Sequence, residues 1–216
     1  MRNGLGLKTL DAAVDVKDRS IQMTTEGYST GVIHGRFQVL HNDHMKYLMS
    51  GKALCRHLVV GVTNPDPFLT KKEDTDVERN DPMANPLTYY ERYILINAAL
   101  EENGVNSHEF SVVPFPINFP ELYRYYVPMD AVFFLTIYDE WGKQKQKYFK
   151  EQGVETHVLW DVPSEKKGIS AGDVRDLMIK EHSWESLVPQ SVSRLLNEWG
   201  IPERLKEMAG ISLPGL

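Results

Sequence analysis

Thr30-Gly31-Val32-Ile33-His34, followed by Gly35-Arg36-Phe37-Gln38-Val39-Leu40-His41-Asn42-Asp43-His44, is the stretch that decides the fold of this chain. The first five residues read as a strand, and Gly35 at its end lets a ligand approach the backbone closely. His41 and His44 then stand three apart at a helix start, where residues so spaced share one side. Unpaired N–H groups and the helix dipole favour phosphate there. Two imidazoles at that point can donate to a phosphate and stabilise charge that develops on it.

Outward from this stretch the chain alternates short β-rich runs with helical patterns. Strands are expected at 30–34, 57–63, 110–114, 131–136 and 156–160, and their apolar runs are nearly continuous, as in strands covered on both faces. Helices are expected at about 44–53, 88–102, 121–126 and 141–152, with glycines at 104 and 153 closing two of them. The pattern predicts an α/β fold: a Rossmann-like open parallel sheet of five strands, helices on both faces, and a short helical C-terminal segment. Ligands of such sheets sit outside the carboxyl ends of the strands.

Residues 1–27 read as an extension, 28–206 as the domain with its C-terminal helices at about 172–206, and 207–216 as a tail. The polar, proline-bearing stretch 64–85 is too long for an ordinary turn and reads as a lid or as a mark of an unusual second substrate. Trp184, Val188, Val192, Leu195 and Trp199 recur at helical spacing and read as core packing.

Composition narrows the function. The 216 residues carry 24 Lys and Arg against 30 Asp and Glu, a net charge of −6 that argues against broad nucleic-acid binding. A single cysteine, Cys55, forms no internal disulfide, and no apolar run approaches the roughly 20 residues that cross a bilayer. A cytoplasmic enzyme is expected, with no nucleic-acid or membrane partner. A chain of this size can form a homo-oligomer.

Gly35-Arg36-Phe37-Gln38 with His41-x-x-His44 resembles the signature of the nucleotidylyltransferase superfamily that carries a His-x-Gly-His motif. The likeness is greatest to its archaeal-type nicotinamide-nucleotide adenylyltransferases. Ile169-Ser170-Ala171-Gly172-Asp173-Val174-Arg175 is similar to the second signature of that family, and the segments 184–189 and 201–205 resemble its C-terminal tail. The resemblance covers roughly 29–206. It implies transfer of AMP from ATP to nicotinamide or nicotinate mononucleotide in NAD biosynthesis, with release of pyrophosphate and Mg²⁺ on the phosphates. The alternative within the superfamily is CTP with another phosphate- or phosphonate-bearing acceptor. Outside it, a nucleotide-binding protein without catalysis is the rival.

The resemblance also implies roles. His41, His44 and Arg175 would be catalytic, while Gly35, Arg36, Phe37, Ser170 and Asp173 would hold nucleotide and phosphate. Asn85, Arg92, Asn118, Tyr123 and Trp141 would face the acceptor, with Tyr123 in the place of a ring-stacking tryptophan. Asp43 stands where the family has glycine and would either repel the triphosphate or bind its Mg²⁺; no other protein ligand for a metal is implied. Gly172 replaces a common hydroxyl residue. The nucleophile is an oxygen already ionised at neutral pH, so the chemistry reduces to positioning and charge stabilisation.

Overall fold

A computed structural model describes residues 27–67 and 81–211. The expected extension, apart from Gly27, the middle of the long loop (68–80) and the end of the tail (212–216) lie outside the described residues.

Five strands form one sheet: β1 (Tyr28–Gly35), β2 (Cys55–Val62), β3 (Phe110–Pro114), β4 (Val132–Ile137) and β5 (Thr156–Asp161). Their order is β3-β2-β1-β4-β5, and every pairing is parallel. Among the described residues six α-helices accompany them: α1 (Asn42–Lys52), α2 (Tyr89–Glu102), α3 (Glu140–Glu151), α4 (Ala171–Ile179), α5 (Gln190–Glu198) and α6 (Ile201–Met208). The expected helix at 121–126 is instead a 3₁₀ turn, Pro120–Tyr125. Proline opens it, and a stretch this short is readily taken up by the tighter i→i+3 winding.

Alternation along the strands sorts the core into two halves. Ile33 of β1 and Phe134 of β4 pack with Leu48 of α1, Leu95 of α2, Val174 of α4 and Leu195 of α5 on one face. Val32, Phe133 and Leu135 pack with Phe149 of α3, Phe115 and Tyr123 on the other. The expected helical stripe Trp184, Val188, Val192 and Leu195 is buried in the first half, with Trp199 packed against it. Gly31 is a spatial necessity, since a Cβ there would lie 2.1 Å from the Phe134 ring.

The chain runs outward from β1 through β2 to β3, then crosses back to β4, so the order reverses between β1 and β4. Those two strands pair only at Gly31–Val132 and Val32–Phe133, whereas β1 keeps in register with β2 as far as Gly35–Val62. Beyond Val32 the two central strands part at their carboxyl ends, which opens the crevice that this topology reserves for ligands.

Candidate active site

The crevice is a cavity of about 330 Å³. Its walls come from the turn after β1, the first turn of α1, the ends of β4 and β5, the start of α3, and the loop leading into α4. Two helix N-termini, those of α1 and α4, therefore face one space, a favourable arrangement for anions.

His41 caps α1: its Nδ1 accepts from the His44 backbone N–H at 3.3 Å. In the neutral ring this leaves the proton on Nε2 as a donor. The two imidazoles stack, with centroids 3.7 Å apart and planes at 23°. Burial pushes the His41 imidazolium down to about 4, even though Asp43 and Asp173 favour its charge. Burial also holds His44 well below the ordinary histidine range, with His41 and Arg36 adding to the effect. Both rings are thus neutral donors at pH 7 until a polyanion arrives to favour their charged forms.

Phe37 has a φ of 52°, a left-handed conformation that few non-glycine residues adopt. Its buried ring meets His44 edge-on at 5.0 Å, so it positions that imidazole. The Gln38 amide donates to the Leu87 carbonyl and accepts from the Leu87 N–H, both at 2.9 Å, and so clamps the turn to the segment before α2. At α4, Ser170 and Asp173 form a reciprocal capping box: Ser170 N–H and Oγ donate to the Asp173 carboxylate at 2.8 and 2.7 Å. Asp173 therefore caps the helix start, and its carboxylate does not line the cavity.

Arg36 makes the site electropositive. It depresses the charged forms of His44, Arg92 and Arg175. Arg175 donates to the Gln38 carbonyl, tying α4 to the turn after β1, and burial is the main cause of its lowered pKa. It stands behind the cavity wall rather than on it. Lys145 and Lys167 line the same space. An acidic chain has thus gathered cations at one crevice, a field that concentrates a triphosphate.

The cavity brings together Gly35, Arg36, Phe37, His41, Asp43, His44, Trp141 and Ser170. It does not include four of the residues expected at the acceptor. Arg92 is 1% exposed, and its guanidinium donates to the carbonyls of Thr88, Arg36, Thr63 and Asn64 at 2.8–3.2 Å. Four of its five N–H donors thus hold the ends of β1 and β2 in place, and the fifth belongs to a side chain walled off from solvent. Tyr123 is 0% exposed, lies 4.6 Å from the Phe115 ring and donates its hydroxyl to the Ile117 carbonyl, so it is packed as a core residue. Asn118 lines neither cavity described here, and Asn85 lines a neighbouring one of about 500 Å³, with its Nδ2 donating to the Asp81 carbonyl.

Several lining residues escaped sequence reasoning: His34, Tyr47, Tyr138, Lys145 and Trp160. Trp160 donates to the Tyr138 hydroxyl at 2.8 Å, closing the β5 side, and the Lys145 ammonium stands 4.6 Å over the Trp141 ring. Only His34, adjacent to Gly35 in the decisive stretch, carried a signal: a polar residue at the end of an otherwise apolar strand.

For a metal, the fit is with a substrate-borne ion. Among the described residues no group of three or more His, Cys, Asp or Glu side chains is placed to cage one. Asp43, in the first turn of α1 and packed against Gly168, supplies a carboxylate beside the phosphate end. That suits Mg²⁺, which typically takes one or two carboxylates together with substrate phosphates. Among the described residues no helix is long and apolar enough to cross a membrane.

No family model matches the chain. It is 48% identical over 177 residues to the phosphonoformate cytidylyltransferase of Streptomyces viridochromogenes, covering 82% of this chain and 95% of that protein. It is 30% identical over 181 residues to the nicotinamide-nucleotide adenylyltransferase of Thermococcus kodakarensis, covering 83% and 88%. Among solved structures, a bifunctional NMN adenylyltransferase/ADP ribose pyrophosphatase from Francisella tularensis superposes with a TM-score of 0.60 at 10% identity, over 85% of this chain and 52% of that one. That likeness is one of fold.

Proposed function

The chain belongs to the nucleotidylyltransferases, and on that footing we propose that it moves CMP from CTP onto a small phosphonate or phosphate acceptor and releases pyrophosphate. The observation that carries this choice of acceptor is Lys145 over Trp141. Both tryptophans that line the crevice already carry a cation, Lys145 at 4.6 Å over the Trp141 ring and Lys46 at 5.6 Å over the Trp160 ring, and Tyr123 is withdrawn into the core. A cationic pyridinium ring would meet like charge there, whereas a compact dianion or trianion would meet its complement. The 48% identity to a phosphonoformate cytidylyltransferase points the same way.

In the reaction an ionised phosphonate oxygen attacks the α-phosphorus of the triphosphate. The new P–O bond forms as the bond to the β-phosphate oxygen breaks, and pyrophosphate departs with that electron pair. No proton need be removed from the nucleophile. The chain's part is to orient and to stabilise charge. His41 and His44 donate from the start of α1 to oxygens around the α-phosphorus, and Arg36 answers the charge of the leaving group. The N–H groups opening α4 hold the far phosphates. Mg²⁺ on the phosphates would supply further charge neutralisation, with Asp43 the carboxylate at hand. We place this activity in the cytoplasm, in keeping with the single cysteine.

Adenylyl transfer to a pyridine mononucleotide is the second reading, favoured by the identity to archaeal nicotinamide-nucleotide adenylyltransferases. Pyrophosphate release measured with CTP or ATP against phosphonoformate, methylphosphonate and nicotinamide mononucleotide separates the two. Release with CTP and a phosphonate is expected, and His44→Ala should cut it about 100-fold. Release confined to ATP with the mononucleotide would overturn the choice of substrates.

A further inference from the structure

His34 is the penultimate residue of β1, and its side chain points to the α3 face of the sheet, opposite to α1 and its histidine pair. It is 7% exposed and lines the crevice. The rings of Phe115 and Phe149 hold it at centroid distances of 5.7 and 5.2 Å. Among the described residues neither ring nitrogen has a hydrogen-bond partner. Buried polar groups are nearly always paired, so two orphaned nitrogens on one fixed ring at a cavity wall call for a partner from outside the chain. Its partner across on β2 is Gly61, which has no side chain to offer and against which the Phe115 ring packs, so the strand pairing supplies the imidazole with no polar side chain either.

We propose that His34 is a specificity-determining residue of the acceptor subsite, hydrogen-bonding the non-reacting polar end of a small anionic acceptor. The inference rests on the acceptor reading given above and adds the group that recognises it. Position supports it. The histidine pair and the two helix starts that suit phosphate lie on the α1 side of the parted strands, while His34 and Lys145 lie on the α3 side of the same cavity. A molecule short enough to sit between them, with a phosphonate at one end and a second acidic group at the other, would engage both. Chemistry supports it as well. Burial and the nearby Lys145 keep the imidazole uncharged, so the ring offers one donor and one acceptor nitrogen, and Lys145 supplies the charge. An imidazole that donates to a carboxylate beside a lysine discriminates by geometry, since an acceptor without that group leaves the nitrogens orphaned again.

The test uses the full-length enzyme with His34→Leu and His34→Gln. With CTP, His34→Leu should raise KM for phosphonoformate about 10- to 100-fold, the scale of one lost hydrogen bond to a charged group. KM for CTP and for methylphosphonate should stay within about twofold, and His34→Gln should recover part of the loss. The thermal midpoint of His34→Leu should hold or rise, because an unpaired polar ring is replaced by an apolar side chain. A phosphonoformate KM that does not move, or one that moves together with that for methylphosphonate, overturns the proposal. So does a fall in midpoint with kinetics intact, which marks a ring satisfied by internal water. ¹⁵N imidazole shifts of the wild-type enzyme separate this inference from the reading beneath it. A His34 shift on adding phosphonoformate without turnover keeps the subsite and discards the reaction. Turnover without a shift discards the subsite alone, and neither discards both.

Discussion

Arg92→Met tests whether the guanidinium buried behind the crevice is a fastener or a substrate ligand. The wild-type side chain makes four hydrogen bonds to main-chain carbonyls, from Nε at 3.2 Å and from Nη1 and Nη2 at 2.8–2.9 Å. At about 1.5–3 kcal/mol for a bond to a charged group, the sum has a ceiling of roughly 6–12 kcal/mol. Against it stands the cost of burying the charge. Burial pushes the Arg92 pKa below the ordinary arginine range, to about 10, a penalty of roughly 3 kcal/mol that disappears with the side chain. The difference is about 3–9 kcal/mol; since the bond sum is a ceiling, the expected loss is its lower part, about 3–5 kcal/mol, which is the range for breaking a buried charged network and leaving its partners unpaired. With a urea slope of about 2 kcal/mol per molar, the midpoint followed by circular dichroism should fall by about 2 M. Arg92→Lys keeps the charge but cannot span four carbonyls, so it should lose more than half as much. Acceptor KM, taken well below each variant's own midpoint, should stay within about threefold of wild type. A variant that melts like wild type yet loses acceptor affinity tenfold or more would refute this account and return Arg92 to the substrate.

Two further expectations concern the phosphate end. A Cβ on Gly168 would lie 1.9 Å from the Asp43 carboxylate, so Gly168→Ala should turn that carboxylate aside and lower turnover about tenfold. Once Asp43→Gly has removed the carboxylate, Gly168→Ala should cost little more, and additive effects in that double-mutant cycle would count against the contact. The second expectation concerns acid. His41 titrates at about 4 folded against 6.5 ordinarily, so the unfolded chain takes up the proton first. Its contribution to stability is complete above about pH 6.5 and is lost as pH falls toward 4, by roughly 3 kcal/mol. His34 and His44 act in the same direction. Urea midpoints that stay flat between pH 6.5 and 4.5 would contradict neutral rings in the folded state.

The sheet was legible because strands buried on both faces spell themselves out as apolar runs. Those ending at His34, Pro114 and Trp160 differ from the observed strands by at most two residues at either end. The local structure around the histidine pair was legible too, since Gly35, His41 and Ser170 mark a strand end and two helix starts by residue type. The acceptor end was not. Arg92 holds carbonyls, and a carbonyl leaves no trace in a sequence, so an arginine bound to backbone reads the same as one waiting for phosphate. Tyr123 was expected at the acceptor because it takes the place of a ring-stacking tryptophan, and a likeness of position does not say which way the ring faces; in the 3₁₀ turn Pro120–Tyr125 it is the buried residue. Lys145 and Trp160 come from chain positions far from the decisive stretch, and only the return of β4 and β5 beside β1 brings them to it.

The parting of β1 from β4 after Val32 also bears on how such a protein can be re-engineered or can diverge. The two sides of the gap are furnished by different, non-adjacent lengths of chain: residues 35–44 and 167–175 on one, residues 134–160 with the His34 ring on the other. Substitutions on the second set can accumulate without touching the atoms around the reacting phosphorus. A graft of α3 and the strand end before it, together with position 34, from a relative with another acceptor would exchange the substrate and leave the bond-making half intact.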